Sequence, residues 1–204
     1  FVIQNRNAPL LIAMPSALDA AKGRRDPDVT AENPVSVLFL CTGNSARSQI
    51  AEALLSTRSK ARFRVGSAGV RPASEVNPFA IAQLRAQGID WAGHRPKTID
   101  DVMGDSWDFV ITVCDNAKES CPVFPGQPVF AHWGMEDPAE VVGDEAARRE
   151  AFRLTALYLA RRIDLFLALP IETLERRARE ERVRAIGVTD VRGSETTPAA
   201  RARR

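Results

Sequence analysis

The sequence predicts an α/β domain, a three-layer sandwich around a small parallel sheet of about four strands. Two observations carry that expectation. Apolar runs at residues 37–40, 63–65, 107–113 and 129–131 have the length and composition of buried strands. The segments between them show the three-to-four-residue apolar spacing of helices, and strands that alternate with helices form parallel sheets with helices packed on the faces.

The elements follow in chain order. Residues 1–34 read as an extension and linker. Phe1 stands where a start would place Met, which suggests a fragment or a processed product. Leu10-Leu11-Ile12-Ala13-Met14 is too short, and too broken by Pro9 and Pro15, to serve as an export signal. Val37-Leu38-Phe39-Leu40 is the first strand, and residues 41–48 form a loop of small and polar residues. Ile50, Ala51, Leu54 and Leu55 mark the buried face of a helix running to about Ser56. Phe63-Arg64-Val65 alternates as a short strand and stops at Gly66-Ser67-Ala68-Gly69, where Ser67 reads as a turn residue. Asn77-Pro78 supplies an N-cap and a first-turn proline, Ile81 and Leu84 a buried stripe, and Gly88 a stop. Thr98 with Asp100 caps a short helix ending by Gly104.

Residues 107–113 give the strongest strand signal, with Cys114 at its end. Asp115 to Pro122 is a polar loop or short helix carrying Cys121, and residues 129–131 are the last strand. Asp144 caps a long helix whose stripe is Phe152, Ala156, Leu159, Ile163 and Phe166, ended by Pro170. Residues 171–204 read as a charged tail, a solvated helix at best, and disordered from Gly187 onward. The domain is therefore placed at 35–170.

Composition excludes several function classes. Lys and Arg number 28 against 26 Asp and Glu, a balance that gives no reason for nucleic acid binding. No apolar run is long enough to span a bilayer. Three cysteines, an odd number, do not make a secreted disulfide framework and fit reduced, reactive thiols in a cytoplasm. A cytoplasmic monomer with no nucleic-acid or membrane partner is expected. No metal is expected either: the Cys114–Cys121 spacing is not that of a zinc site, and His94 and His132 are the only imidazoles.

The chemistry concentrates in Cys41-Thr42-Gly43-Asn44-Ser45-Ala46-Arg47-Ser48. A cysteine at a strand end, backbone N–H groups from Thr42 through Arg47 and a helix N-terminus together favour an anion. The same field is expected to depress the Cys41 pKa and make it a nucleophile. Arg47 offers a planar fork for two oxygens of a tetrahedral oxyanion, and Ser48 a hydroxyl for the thiolate. The nucleotide-loop patterns G-x-x-x-x-G-K-[ST] and G-x-G-x-x-G are absent from this region. Cys114 belongs to the same sheet edge, where open α/β sheets bind ligands. Read alone, it is equally a buried core cysteine, and Cys121 an incidental loop thiol. Asp137-Pro138 is either a turn or a carboxylic acid placed to protonate a departing oxygen.

This C-x5-R-S loop resembles that of the low-molecular-weight tyrosine phosphatase superfamily. With residues 110–114, Cys121-Pro122, His132-Trp133-Gly134 and Asp137-Pro138, the chain from Val35 to Pro170 is similar to the arsenate reductases of that superfamily. The resemblance implies a low-molecular-weight phosphatase-like fold and reduction of arsenate to arsenite for detoxification. It implies a Cys41–arsenic adduct, Asp137 as the acid, and a disulfide passed from Cys41–Cys114 to Cys114–Cys121. It further implies no bound cofactor and an external thiol reductant: thioredoxin, glutaredoxin with glutathione, or mycothiol. Some relatives hold a potassium ion near the loop, at which Asn44, Glu52 and Ser67 would stand here. One departure is Ala46, where many relatives carry a second loop cysteine. The nearer alternative is a phosphatase acting through a phosphocysteine, although Ala139 stands where such enzymes commonly carry a tyrosine. The farther one is a non-catalytic module that binds an oxyanion, or arsenite through three thiols.

Overall fold

Seven consecutive residues, Val35–Cys41, form strand β1, and all seven are buried. A strand buried on both faces needs cover on both sides, and the computed structural model, which describes residues 34–192, supplies it. The expectations for residues 1–33 and 193–204 lie outside the described residues. Strands β2 (Phe63–Gly69), β3 (Phe109–Thr112) and β4 (Val129–His132) join β1 in the all-parallel order β2-β1-β3-β4. The register sets Leu40 beside both Ala68 and Thr112. Beyond it, the Val113 N–H donates to the Leu40 carbonyl at 2.8 Å. Cys41 and Cys114 therefore leave the sheet on one edge, on neighbouring strands.

Around the sheet lie helices α1 (Arg47–Arg58), α2 (Pro78–Ala86), α3 (Asp100–Met103), α4 (Asp115–Glu119), α5 (Glu145–Leu167) and α6 (Arg176–Val188), with a 3₁₀ turn at Pro138–Glu140. Helix α1 packs on β1, β2 and α5, placing Ile50, Ala51, Leu54 and Leu55 in the core. Two helix starts follow the sequence signals. Asn77 accepts the Phe79 N–H at 2.9 Å with Pro78 next to it, and Asp144 accepts the Ala147 N–H at 2.8 Å. At α3 the partner of Thr98 is Asp101 and not Asp100. Asp101 accepts the Thr98 N–H at 2.8 Å and Thr98 accepts the Asp101 N–H at 3.1 Å, a reciprocal capping box.

Two further expectations are corrected. Strand β2 does not stop at Gly66 but pairs with β1 through Gly69, so Ser67 is a strand residue and not a turn. Gly66 is there for space: a Cβ would stand 2.6 Å from the Trp107 ring that packs on the strand. The charged segment after Pro170 is not a solvated tail up to Val191. Helix α6 buries Val183 and Ile186 and packs against β4, and Ile171 and Val191 are buried on either side of it. Trp133 Nε1 donates to the Val183 carbonyl at 3.1 Å, and Arg184 Nε donates to the Phe130 carbonyl at 3.1 Å. Arg176 donates to the Gln127 carbonyl. Helix and strand approach so closely at Gly187 that a Cβ there would lie 1.9 Å from the His132 carbonyl oxygen.

Arg62 ties the end of α1 to the segment after α5. Its guanidinium meets both oxygens of Glu172, at 2.5 and 2.8 Å, and donates to the Leu167 and Leu169 carbonyls at 2.9 and 3.0 Å. The Arg62 hydrogen bond holds the Glu172 carboxyl below the usual value of 4.5. A carboxylate with a depressed folded pKa contributes stability that is fully present above its unfolded pKa and is lost as pH falls through the folded one. Arg62→Ala is expected to cost about 1–2 kcal/mol at pH 7. In urea melts, the gap between variant and wild type should shrink below pH 4.5 as Glu172 protonates.

Candidate active site

The loop between β1 and α1 turns its N–H groups inward because its carbonyls are bound outside. The carbonyls of Cys41, Thr42, Gly43 and Ser45 accept from the N–H groups of Val70, Arg71, Ala73 and Asn77, at 2.8 to 3.2 Å. In planar trans peptides the following N–H groups, those of Thr42, Gly43, Asn44 and Ala46, then point the opposite way. One is visible doing so: the Asn44 N–H donates to Cys41 Sγ at 3.1 Å. The turn requires a positive φ of 47° at Asn44, a conformation asparagine tolerates. Gly69 lets the loop lie on β2, since a Cβ there would meet the Thr42 carbonyl oxygen at 2.7 Å. Helix α1 starts with no side-chain cap and no acid in its first turn, so its positive end is open to an anion.

Cys41 is buried at the centre, with Ser48 Oγ 2.9 Å from its sulfur. The expected depression of its pKa is not what the structure supports. Burial pushes the Cys41 thiol above its ordinary value, and that outweighs the Ser48 hydroxyl, the Ser48 and Asn44 N–H groups and the Arg47 charge, which pull it down. Arg47 donates to the Met135 carbonyl at 2.9 Å and to the Asp137 carboxylate. Its Nε, buried and without an acceptor, is a donor ready for an oxygen. Asp137 accepts the Ala139 N–H at 3.1 Å as the cap of the 3₁₀ turn, so the turn and ion-pair roles of this residue coexist.

A buried polar net holds the loop, and most of it has no local sign in the sequence. Asn44 Nδ2 donates to Ser48 Oγ at 2.8 Å and to Ser67 Oγ at 2.7 Å, and Ser67 donates to Glu52 at 2.5 Å. Asn44 Oδ1 accepts from the Lys97 N–H at 2.7 Å and from Gln49 Nε2 at 3.1 Å. The Gln49 amide is fixed in turn by the Trp91 indole at 2.7 Å. The Lys97 ammonium lies 3.2 Å from Glu52, so the acid beside Asn44 and Ser67 already has a cation from the chain itself. Among the described residues no group of three or more His, Cys, Asp or Glu is arranged to hold a metal ion.

Cys114 caps α4, its sulfur accepting the Ala117 N–H at 3.4 Å, and it lies 3.4 Å from the Thr42 hydroxyl of the loop. Cys121 follows the end of α4, half-buried, with its thiol pushed up by burial. The three thiols are free. Thus the structure brings Cys41, Arg47, Ser48, Asp137 and Cys114 around one loop and leaves Cys121 outside it. Arg162 is a further positioning residue: it donates to the Trp133 and Gly134 carbonyls, at 2.7 and 3.3 Å, and to the Gly187 carbonyl at 3.2 Å. It thereby holds the start of the Asp137 segment to both α5 and α6.

On the C-terminal edge of the parallel sheet the structure gathers a buried cysteine, a loop of inward N–H groups, an arginine and a carboxylate, residue types suited to chemistry on a tetrahedral oxyanion. The chain belongs to the low molecular weight phosphotyrosine protein phosphatase family, whose pattern matches residues 36–164. An arsenate reductase of Halalkalibacterium halodurans is 36% identical over 134 residues, which take in 66% of this chain and 96% of that protein. Among solved structures, an arsenate reductase in its oxidized state is 31% identical with a TM-score of 0.55, covering 65% of this chain and 96% of the other. A low molecular weight protein tyrosine phosphatase from T. tengcongensis is 28% identical with a TM-score of 0.53, covering 64% of this chain and 95% of the other. No helix among the described residues is long and apolar enough to cross a membrane.

Proposed function

We propose that this chain reduces arsenate to arsenite with Cys41 as the nucleophile. The observation that carries the reading beyond oxyanion binding is the second thiol, with Cys114 Sγ 3.4 Å from the Thr42 hydroxyl and so against the loop that holds Cys41. A phosphatase needs no such thiol. The arsenate reductases among its relatives support the same choice.

In this mechanism arsenate lies on the N–H face of the loop, and Arg47 leaves Met135 and Asp137 to clasp two of its oxygens. The thiolate attacks arsenic: a sulfur–arsenic bond forms, an arsenic–oxygen bond breaks, and Asp137 protonates the departing oxygen so that it leaves as water. Cys114 thiolate then attacks Cys41 Sγ. A disulfide forms, the sulfur–arsenic bond breaks with its electron pair retained on arsenic, and arsenite departs. Cys121 displaces Cys41 from Cys114, and a thioredoxin-type dithiol protein supplies two electrons to open the Cys114–Cys121 bond.

The phosphatase reading uses the same Cys41, Arg47 and Asp137 through a phosphocysteine. Side-by-side turnover of arsenate, with dithiothreitol as electron donor, and of p-nitrophenyl phosphate separates the two. Arsenate-dependent thiol consumption that Cys114→Ser abolishes is the expected result. Ester hydrolysis indifferent to that substitution, with no arsenate turnover, would establish the phosphatase instead.

A further inference from the structure

Helix α6 begins at Arg176, beyond the family match that ends at residue 164, yet it is built into the fold through Val183, Ile186 and Gly187. Its last turn does more than cover β4. Arg184 and Val188 form one wall of an open groove of about 560 Å³, whose other wall carries Lys118, Cys121, Pro122 and Val123. Cys121 is the thiol that stands outside the oxyanion loop.

We propose that this groove is the docking surface for the protein that returns electrons to Cys121, and that α6 contributes Arg184 and Val188 to it. The inference rests on the reductase reading above. Its occupant is a dithiol protein whose reactive cysteine sits in an apolar surface with an acidic rim. Two observations define that chemistry. Val123 and Val188 flank the thiol at 91% and 87% exposure, an apolar pair placed for burial against a partner. The charged side chains lining the groove are Lys118 and Arg184, with no acid among the lining residues; His132 also lines it, paired with Asp115 at 3.0 Å just outside. Glu180, one turn back on α6, pairs with Arg184 at 2.6 Å but does not line the groove.

The open form and the exposed valines favour a protein surface over a small anionic thiol such as glutathione, which needs no apolar contact area. In the step that follows docking, a thiolate of the partner attacks Cys121 Sγ in the Cys114–Cys121 disulfide. A mixed disulfide forms and Cys114 leaves as thiolate. The partner's second thiol then releases Cys121 and the partner departs oxidised, two electrons having passed to the chain.

Val188→Glu and Arg184→Glu, each made in the full chain, test this with bacterial thioredoxin, its reductase and NADPH. Each variant is expected to raise the KM for thioredoxin by about tenfold, a shift the size of an interface anchor. Turnover driven by dithiothreitol should match wild type, which separates docking from folding and chemistry. In a second readout, thioredoxin with its second cysteine changed to serine is trapped as a mixed disulfide on the oxidised chain, and both variants should lower the yield. An unchanged KM and trapping yield would overturn the proposal. So would an equal fall in the thioredoxin and dithiothreitol rates, or regeneration by glutathione alone that the variants impair. Absence of any arsenate turnover in the wild type with dithiothreitol would sink the reductase reading, and the trapping yield would still decide the groove.

Discussion

Cys121→Ser is expected to confine the protein to a single turnover, releasing one arsenite per chain and stopping with Cys41 and Cys114 joined. Multiple turnover should fall about 100-fold or more, since a member of a relay that acts as a unit cannot be replaced by its neighbours. Rapid-quench measurement of arsenite checks the burst, and mass spectrometry of the quenched protein checks the disulfide. The structure adds a second requirement. Cys114 is the N-cap of α4 and Cys121 lies just past its C-cap, Ser120. Seven residues at full helical rise would put their Cα atoms about 10 Å apart. A disulfide tolerates no more than roughly 7 Å. At that separation helix α4 would have to unwind for the proposed second exchange, and a five-residue helix has little intrinsic stability to resist it. Wild-type turnover that continues unchanged in Cys121→Ser would remove both Cys121 and the unwinding from the cycle.

Asp137→Ala should split kcat from KM. Losing the acid is expected to lower kcat for arsenate by about 10²- to 10⁴-fold. The same change frees Arg47 from the carboxylate it grips in this structure. Oxyanion binding no longer has to break that ion pair, so the Kd for inorganic phosphate, used as a non-reducible probe, should fall by about two- to five-fold. Weaker phosphate binding in Asp137→Ala would mean that the carboxylate holds Arg47 ready and does not compete for it. Calorimetric titration with phosphate reads the difference directly.

The strands, the long helix and the loop were legible in the sequence because each is a local pattern. An apolar run, Asn77-Pro78, Asp144 before a periodic stripe, and Cys41 with Arg47 all announce themselves within a few residues. What could not be read was set by partners far away in the chain. Ser67 is a loop anchor only because β1 pairing brings it to Asn44, 23 residues distant. Gln49 is fixed by Trp91, 42 residues on, and Lys97 meets Glu52 from 45 residues away. Burial raises the Cys41 pKa, and spacing reveals the helix end and the arginine but not the depth of burial. The packing of helix α6 was not legible because Val183 and Ile186 are a thin apolar stripe among arginines and glutamates, and its closest approach is made by Gly187, which has no side chain to signal it.

Helix α6 also settles how the sheet ends. Strand β4 is last in the order, so its outer side would present unpaired carbonyls to any passing strand. Arg176 and Arg184 take the carbonyls of Gln127 and Phe130, and the close approach at Gly187 leaves no room for another chain beside His132. Without α6 this edge of the sheet would lose both arginines from its carbonyls and lie open to pairing with another strand.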